Sequence, residues 1–294
     1  MLYIKKIPLL LAILFISLGA QPIAVADINI GVLAPRGKLK AMNQWKDFGL
    51  YMQEQLGQPV TIIPLSPPEV VAAANNDQVA LMLANPVHTV KLIELHNSKL
   101  IATLNKKSGP VFAGVIVANK GSGIKSSEDL KGKNVMSLKF RAAAGAYTFQ
   151  AYHLFKKGID PHKDFASMNA GKKQDDLVLA VKAGVIDAAF IRTGILESME
   201  KEGKIKMNEF HVVDQHGDDE IKLVHTTDHY PEWYFTAMHT TDPALANTAK
   251  QALLSLNAEH PASKQARING FVEPVPLEGM VNALKALKIA PYNN

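Results

Sequence analysis

The 294-residue sequence contains no cysteine, which excludes disulfide bonds, thiolate metal sites, a cysteine nucleophile and a lipid-modified cysteine. It also lacks the G-x-S-x-G, P-loop and H-E-x-x-H motifs, and no dinucleotide-binding glycine pattern follows the first predicted strand. Aromatic residues make up only 7% of the chain and the basic residues are scattered, so nothing favours nucleic-acid binding. We therefore expect no enzyme activity and no cofactor.

Long apolar runs are also missing after residue 26, where no stretch is long enough to span a membrane. The first 26 residues have the form of a secretory signal peptide. Lys5 and Lys6 precede an apolar run at 7–18, and an Ala-x-Ala motif ends at Ala26, where we expect cleavage. The remaining chain is long enough for one large or two ordinary domains, and we expect it to be exported.

Strand-like and helix-like segments alternate through most of the mature chain. This alternation predicts a mainly parallel α/β sheet with helices on its faces. Two such blocks, 27–118 and about 124–203, are separated by a short Gly/Ser-rich linker. We expect the segment from about 206 to 294 to return and complete the first block. The prediction is therefore two lobes, with hinge crossovers near 118–124 and 203–210 and a ligand cleft between the lobes.

The stretch 134–160 has the pattern of a strand, a tight turn and a helix. The first amides of such a helix lack partners, so with the helix dipole they form a site for an anion. The turn carries small residues that allow close approach of a ligand, and Arg141 adds a positive charge. An ordinary buried strand–helix unit is the alternative interpretation.

Four longer motifs stand out along the chain: N-P-V-H-T-V at 85–90, S-S-E-D-L-K-G-K-N-V at 126–135, A-V-K-A-G-V-I-D-A-A-F at 180–190 and Y-P-E-W-Y-F at 230–235. Together they resemble the periplasmic phosphate/phosphite/phosphonate-binding family of solute-binding proteins. I-R-T-G-I-L-E at 191–197, combined with Y-P-E-W, is similar to the branch that includes the input domains of tetrathionate-type sensor kinases.

The resemblance implies a type II periplasmic-binding-protein fold, in which each lobe is a mixed sheet flanked by helices. It implies a periplasmic protein that captures a small anionic ligand between its lobes. Delivery to an inner-membrane ABC permease is the expected role, and work with a separate sensor kinase is the alternative. We expect a monomer.

The chain departs from the phosphonate binders of this family at two positions of the expected site. Those proteins carry a hydroxyl-rich S-T-S-G where this sequence has A-A-A-G at 142–145, so three hydroxyl donors are missing. Their binding histidine aligns with Gln174. We therefore expect an anion other than a phosphonate, such as a sulfur oxyanion or a larger organic anion.

The remaining site candidates follow from the ends of predicted strands and from the resemblance. His88, at a predicted helix start, is expected to face the cleft, with a histidine on the helix surface as the alternative. Asn85 is either a ligand contact or the N-cap of that helix. Arg192 is favoured over Arg141 because it interrupts an apolar strand end, where a buried guanidinium needs a partner. The other candidates are the backbone of Ala143, Ala144 and Gly145 and the side chains of Tyr147, Gln174, Tyr230 and Trp233, with core packing as the alternative for the aromatic residues.

Four histidines late in the chain suggest a second alternative, an exported metal-binding protein. His225 and His229 have H-x-x-x-H spacing, and His211 and His216 are near in sequence. That spacing supports a shared metal only on a helix, and the residues between the first two do not have a helical pattern. We therefore favour the solute-binding interpretation.

Overall fold

The computed structural model describes residues 27–217 and 222–293. The predicted signal peptide, 1–26, lies outside the described residues. Within the described ranges, no helix combines the length and the apolar character needed to cross a membrane. The described residues form two α/β lobes with mixed sheets, which confirms the predicted fold class.

Strands and helices alternate along the described chain. The strands are β1 (Ile28–Leu33), β2 (Val60–Leu65), β3 (Leu81–Ala84), β4 (Lys99–Asn105), β5 (Val111–Phe112), β6 (Gly114–Asn119), β7 (Asn134–Ser137), β8 (Ser167–Ala170), β9 (Ala188–Arg192), β10 (Phe210–Val212), β11 (Tyr230–Pro231), β12 (Tyr234–Ala237) and β13 (Gly270–Val272). The α-helices are α1 (Lys38–Leu56), α2 (Pro67–Asn75), α3 (Pro86–His96), α4 (Phe149–Lys156), α5 (Gln174–Lys182), α6 (Ile195–Lys201), α7 (Pro243–Ser255), α8 (Pro261–Ala266) and α9 (Glu278–Ala286). A wide helical turn, Ala144–Thr148, leads into α4.

Lobe 1 is built on a six-stranded sheet in the order β13-β4-β12-β3-β1-β2. β1 runs parallel to β2 and β3, whereas β12 pairs antiparallel with both β3 and β4. The central strands are apolar on both faces because helices cover both, and Ile30, Leu81 and Phe235 are fully buried. Proline at the first helical position helps to start α2, α3 and α7 directly after a strand or turn.

Lobe 2 is built on a five-stranded sheet in the order β10-β6-β9-β7-β8. β7 is parallel to β8 and β9, while β6 is antiparallel to β9 and β10. β9 therefore lies in the middle of the sheet, and its residues up to Ile191 are fully buried. Its last residue, Arg192, emerges at the carboxyl end beside the turn that follows β7.

The chain passes between the lobes twice, and the two passages pair as a short antiparallel ribbon of β5 and β11. β6 and β10 belong to the sheet of lobe 2, which corrects the crossovers predicted near 118–124 and 203–210. The apolar run at 111–117 has the pattern of one strand, yet Ala113 divides it between the ribbon and the lobe 2 sheet. An apolar run does not show which sheet each of its residues joins, since that depends on partners distant in sequence.

The C-terminal segment serves both lobes. α7, α8 and β13 pack on lobe 1. α9 instead packs against α3 of lobe 1 and α4 of lobe 2. Its residue Met280 shares one apolar cluster with Val87 of α3 and Leu154 of α4. The assignment of the whole C-terminal segment to lobe 1 is corrected accordingly.

Candidate anion-binding cleft

A cavity of about 1000 Å³ lies between the two lobes. Lobe 1 contributes the turn between β1 and α1, the start of α3, and α8 with the residues after it. Lobe 2 contributes the turn after β7, the start of α5 and the end of β9. The carboxyl ends of strands from both sheets therefore meet at the cavity, which is where open α/β sheets bind ligands.

Positive charge dominates the wall of this cavity. Among the described residues that line it, eight are lysine or arginine and none is aspartate or glutamate. Arg192 and Lys106 are partly buried. The other six are exposed: Arg36, Lys40, Lys139, Lys172, Lys264 and Arg267. Cations of one sign around a concave wall raise the local concentration of anions, so the cavity favours a negatively charged ligand.

Arg192 is held in one position by its neighbours. Its backbone N–H donates to Oε1 of Gln174 at 2.7 Å, and its guanidinium carbon lies 4.5 Å from the ring centroid of Phe112. Its Nη2 donates to Oε1 of Glu232 at 2.6 Å. The side chain keeps an accessible edge at the cavity wall. A guanidinium fixed in this way can present its remaining N–H groups to an oxyanion without further ordering.

Glu232 is the buried carboxylate behind this arginine. Its side chain is 0% exposed, and the same Oε1 lies 3.2 Å from Nζ of Lys106. Burial alone would raise the pKa of Glu232, but the charges of Arg192 and Lys106 outweigh burial and hold the pKa below its ordinary value. Burial, followed by the charge of Arg192, lowers the pKa of Lys106 to about 8, which leaves the ammonium mostly charged at neutral pH.

The small-residue turn after β7 lines the cavity, and it offers fewer amides than the sequence predicts. The N–H of Ala143 already donates to the carbonyl of Lys139 at 3.1 Å. Ala144 and Gly145 begin the wide helical turn, so their amides have no acceptor within their own helix. Nε2 of the buried Gln150 lies 2.9 Å from the carbonyl oxygen of Gly145 and 2.7 Å from that of Ile191. Gln150 thereby links Gly145 to the end of β9.

The helix α3 starts at the cavity, but only one of its two predicted site residues lines it. Asn85 caps the helix by accepting from the backbone N–H of His88 at 3.1 Å, and its Nδ2 donates to the carbonyl of Ala142 in lobe 2 at 3.1 Å. His88 is 2% exposed and does not line the cavity. Its ring nitrogens lie 3.0 Å from Oδ1 of Asn85 and 3.2 Å from the carbonyl of Pro67. The expectation that His88 faces the cleft is corrected, because its ring is buried and lies against Asn85 and the carbonyl of Pro67.

Three other predicted site residues also lie away from the cavity wall. Arg141 is exposed, with a left-handed backbone (φ 62°), and its carbonyl accepts from Nζ of Lys91 in lobe 1. Tyr147 is buried against lobe 2, with its hydroxyl 2.7 Å from Nε2 of His162. Tyr230 stacks on Phe149 with ring centroids 3.9 Å apart. The predicted residues that do line the cavity are Asn85, Ala143, Ala144, Gly145, Gln174, Arg192 and Trp233.

Three residues of this site escape the sequence interpretation: Lys106, Phe112 and Glu232. Lys106 and Phe112 lie beside or on the first crossover, which the sequence places elsewhere. Glu232 has a signal in the sequence, because a carboxylate inside the apolar segment Y-P-E-W-Y-F needs a buried partner. The same argument singles out Arg192, and the structure joins the two.

Three of the four late histidines lie near one another in the structure. The rings of His216 and His229 each lie 5.4 Å from that of His225, measured between centroids. Across 27–217 and 222–293, no group of three or more His, Cys, Asp or Glu residues is arranged to hold a metal ion. The geometry of the described residues therefore gives the metal-binding alternative no support.

Two α/β lobes joined by a paired crossover, with a cationic cleft between them, define the class of two-lobed solute-binding proteins. Residues 30–276 match the family described as the periplasmic substrate-binding protein of phosphonate ABC transporters. The chain belongs to this family, whose members bind solutes in the periplasm.

Relatives and solved structures agree with this family. The tetrathionate sensor histidine kinase TtrS of Salmonella typhimurium is 29% identical over 236 residues, which are 78% of this chain and 40% of the kinase. The chain thus matches less than half of that relative's length. PhnD1 of Prochlorococcus marinus, solved with methylphosphonate, has a TM-score of 0.72 at 17% identity, covering 89% of this chain and 98% of PhnD1. A Xanthomonas citri protein solved with ATP has a TM-score of 0.74 at 15% identity, covering 90% and 99%. At these identities the two structures show the fold alone.

Proposed function

We propose that this protein is an exported solute-binding protein that captures a small anion in the cleft between its lobes and delivers it to an ABC permease. The observation that carries the proposal is the charge of the cleft, where eight cations and no carboxylate line the described wall. The export step relies on the signal peptide predicted at 1–26.

The anion would be held from lobe 2 and enclosed from lobe 1. Arg192 offers paired N–H groups, and the amides of Ala144 and Gly145 add donors from the adjacent turn. Trp233 and the rim cations of lobe 1 would cover the opposite side. The ligand favours the closed form only to the extent that it contacts both lobes, and this cavity provides contacts from both.

The wall narrows the chemical class of the anion. Ala142, Ala143 and Ala144 bring no hydroxyl donors, so the site lacks the side chains that surround phosphonate oxygens in phosphonate-binding relatives. A sulfur oxyanion or an organic anion is the better match for amides and guanidinium alone. Tetrathionate is the first compound to test, because the TtrS relative is named as a tetrathionate sensor.

A thermal-shift screen of the mature chain, from Asp27, tests this function. The panel contains tetrathionate, thiosulfate, sulfate, methylphosphonate and organic di- and monoanions. A ligand at about a hundred times its dissociation constant should stabilise the protein by roughly 2.7 kcal/mol. Arg192→Gln should abolish the shift. Lys131→Ala removes an exposed cation that pairs with Glu128 outside the cavity, and it should leave the shift unchanged. A panel without any anion-induced shift would overturn the proposal.

A sensory role is the second candidate, and the TtrS relative is the observation that favours it. In that role the closed protein would contact a separate sensor kinase. Deleting the gene separates the two roles once a ligand is known. Loss of ligand uptake supports delivery to a permease, while loss of ligand-induced transcription with normal uptake supports sensing.

A further inference from the structure

We propose that Glu232 determines which anionic charge the cleft accepts, by neutralising one of the two cations at the inner wall and favouring a ligand group with a single negative charge. The proposal rests on the proposed anion-binding function and deepens it.

Three charged side chains from three segments meet at this point. Lys106 precedes the first crossover, Glu232 follows the second, and Arg192 ends β9 of lobe 2. One carboxylate oxygen, Oε1 of Glu232, contacts Nη2 of Arg192 at 2.6 Å and Nζ of Lys106 at 3.2 Å. The group therefore carries two positive charges and one negative charge, which leaves a net charge of one.

The carboxylate of Glu232 belongs to the site, although it does not contact the ligand itself. Arg192 and Lys106 line the cavity, whereas Glu232 is not among the described residues that line it. A bound anion must therefore share both cations with a buried carboxylate immediately behind them. The other oxygen, Oε2, is buried without a hydrogen-bond partner, so no additional donor of the protein offsets its charge.

The number of charges on the ligand then decides how well it binds at the inner wall. A group with one negative charge completes a neutral set with Arg192, Lys106 and Glu232. A second negative charge on the bound anion has no cation left to neutralise it at the inner wall, and Glu232 repels it. This repulsion is strong because charge interactions strengthen where water is excluded. The six exposed cations of the wall compensate less, because solvent and salt screen them.

A matched pair of anions measures this effect directly. Methanesulfonate and sulfate are tetrahedral anions of similar size that carry one and two negative charges at neutral pH. Their affinities are measured by calorimetry, at pH 7 and constant ionic strength, for the wild-type mature chain and for Glu232→Gln. Glutamine keeps the shape of the side chain and an acceptor for Arg192, and it removes only the charge. The ratio of sulfate affinity to methanesulfonate affinity should rise by about tenfold or more in this variant.

A second variant changes the charge in the opposite direction. Lys106→Gln lowers the net charge of the group by one while Glu232 stays paired with Arg192, so the same ratio should fall by about tenfold. Opposite shifts in the two variants would support the proposal even if one of them folds less stably. A purely structural Glu232 would weaken both anions equally.

The outcomes separate this inference from the proposed function. Binding of both probes to the wild type, with an unchanged affinity ratio in both variants, overturns the role of Glu232 and leaves anion capture intact. Absence of binding of both probes to the wild type and to both variants would overturn the role of Glu232 at the inner wall, whereas the proposed anion capture stands or falls with the thermal-shift panel.

Discussion

Nδ2 of Asn85, at the start of α3 in lobe 1, donates a hydrogen bond across the cleft to the carbonyl of Ala142 in lobe 2, at 3.1 Å. The adjacent carbonyl, of Arg141, accepts from Nζ of Lys91 on the same helix at 3.2 Å. One edge of the cleft is thus already joined through the turn that carries the proposed anion-binding amides. Contacts of this kind bias the equilibrium between open and closed lobes.

Two substitutions of Asn85 should separate its link between the lobes from its capping role. Asn85→Ser keeps an oxygen that can cap α3 but removes the donor to Ala142, so we expect nearly unchanged stability and a ligand affinity about fivefold lower. Asn85→Ala should in addition lower the free energy of unfolding by about 1 kcal/mol. Urea denaturation and ligand titration measure the two effects. Wild-type affinity in Asn85→Ser would show that the interlobe bond does not assist binding.

Gly145→Ala should damage the site through the packing beneath it. A Cβ at this position would lie 2.5 Å from Cε2 of Phe112 and 3.1 Å from Cβ of Arg192, so the buried ring under the guanidinium must move. Overpacking of this kind costs about 1 to 3 kcal/mol, and we expect ligand affinity to fall by tenfold or more.

The matched control is Gly279→Ala in α9, where the added carbon meets Tyr230 at an ordinary 3.8 Å. Alanine in a helix should leave stability unchanged or raise it by up to about 1 kcal/mol. Thermal melting and ligand titration check both variants. Equal behaviour of the two alanines would contradict the close packing of Gly145 on Phe112.

His88 should make the protein less stable as the pH falls below 6.5. Burial, followed by the charge of Lys91, lowers the pKa of His88 to about 4, whereas an unfolded histidine titrates near 6.5. The unfolded state therefore binds a proton that the folded state excludes. His88 therefore lowers the free energy of unfolding progressively as the pH falls from 6.5 to 4. The total loss is about 3 kcal/mol.

The free energy of unfolding, measured from pH 7 to pH 4.5 in urea, tests this dependence. His88→Gln should flatten the loss of stability on acidification relative to the wild type. His239→Gln replaces an exposed histidine and should keep the wild-type slope. A parallel loss of stability in wild type and His88→Gln would show that His88 is not the residue responsible.

Asp214 should be a main source of stability in lobe 2. Its carboxylate accepts from Nζ of Lys157 at 2.7 Å and from Oγ of Ser127, and it lies 2.9 Å from Nε2 of His153. Burial would raise the pKa of Asp214, but these hydrogen bonds outweigh burial and hold the pKa well below its usual range. The stabilisation is therefore present above about pH 4, the titration range of an unfolded aspartate, and is lost at lower pH.

Asp214→Asn should lower the free energy of unfolding at pH 7 by about 3 kcal/mol, because buried donors lose a charged acceptor. Asp228 provides the comparison, as a half-exposed carboxylate with one ion pair to Lys156. Asp228→Asn should cost less than about 1 kcal/mol. Chemical denaturation of both variants gives the comparison, and similar losses in the two would contradict a special role for Asp214.

Much of this fold can be predicted from the periodicity and the local motifs of the sequence. The alternation of short apolar strands with helical patterns predicts two α/β lobes, and Pro67, Pro86 and Pro243 mark helix starts directly, since proline is suited to the first helical turn. Arg192 could be recognised because a guanidinium at the end of an apolar strand requires a partner. These features are local, so a single sequence displays them.

Tertiary structure alone decided which residues share the cleft. The sheet that a strand joins depends on partners distant in sequence, and the strand pairing places the crossovers at β5 and β11. The same tertiary arrangement brings Lys106, Arg192 and Glu232 together. The direction of a side chain depends in the same way on what packs around it, and the carbonyl of Pro67 helps to keep His88 out of the cavity. The sequence determined the lobes and the cationic chemistry, whereas the charge balance of the cleft arose only from contacts of Glu232 with residues 40 and 126 positions away in the chain.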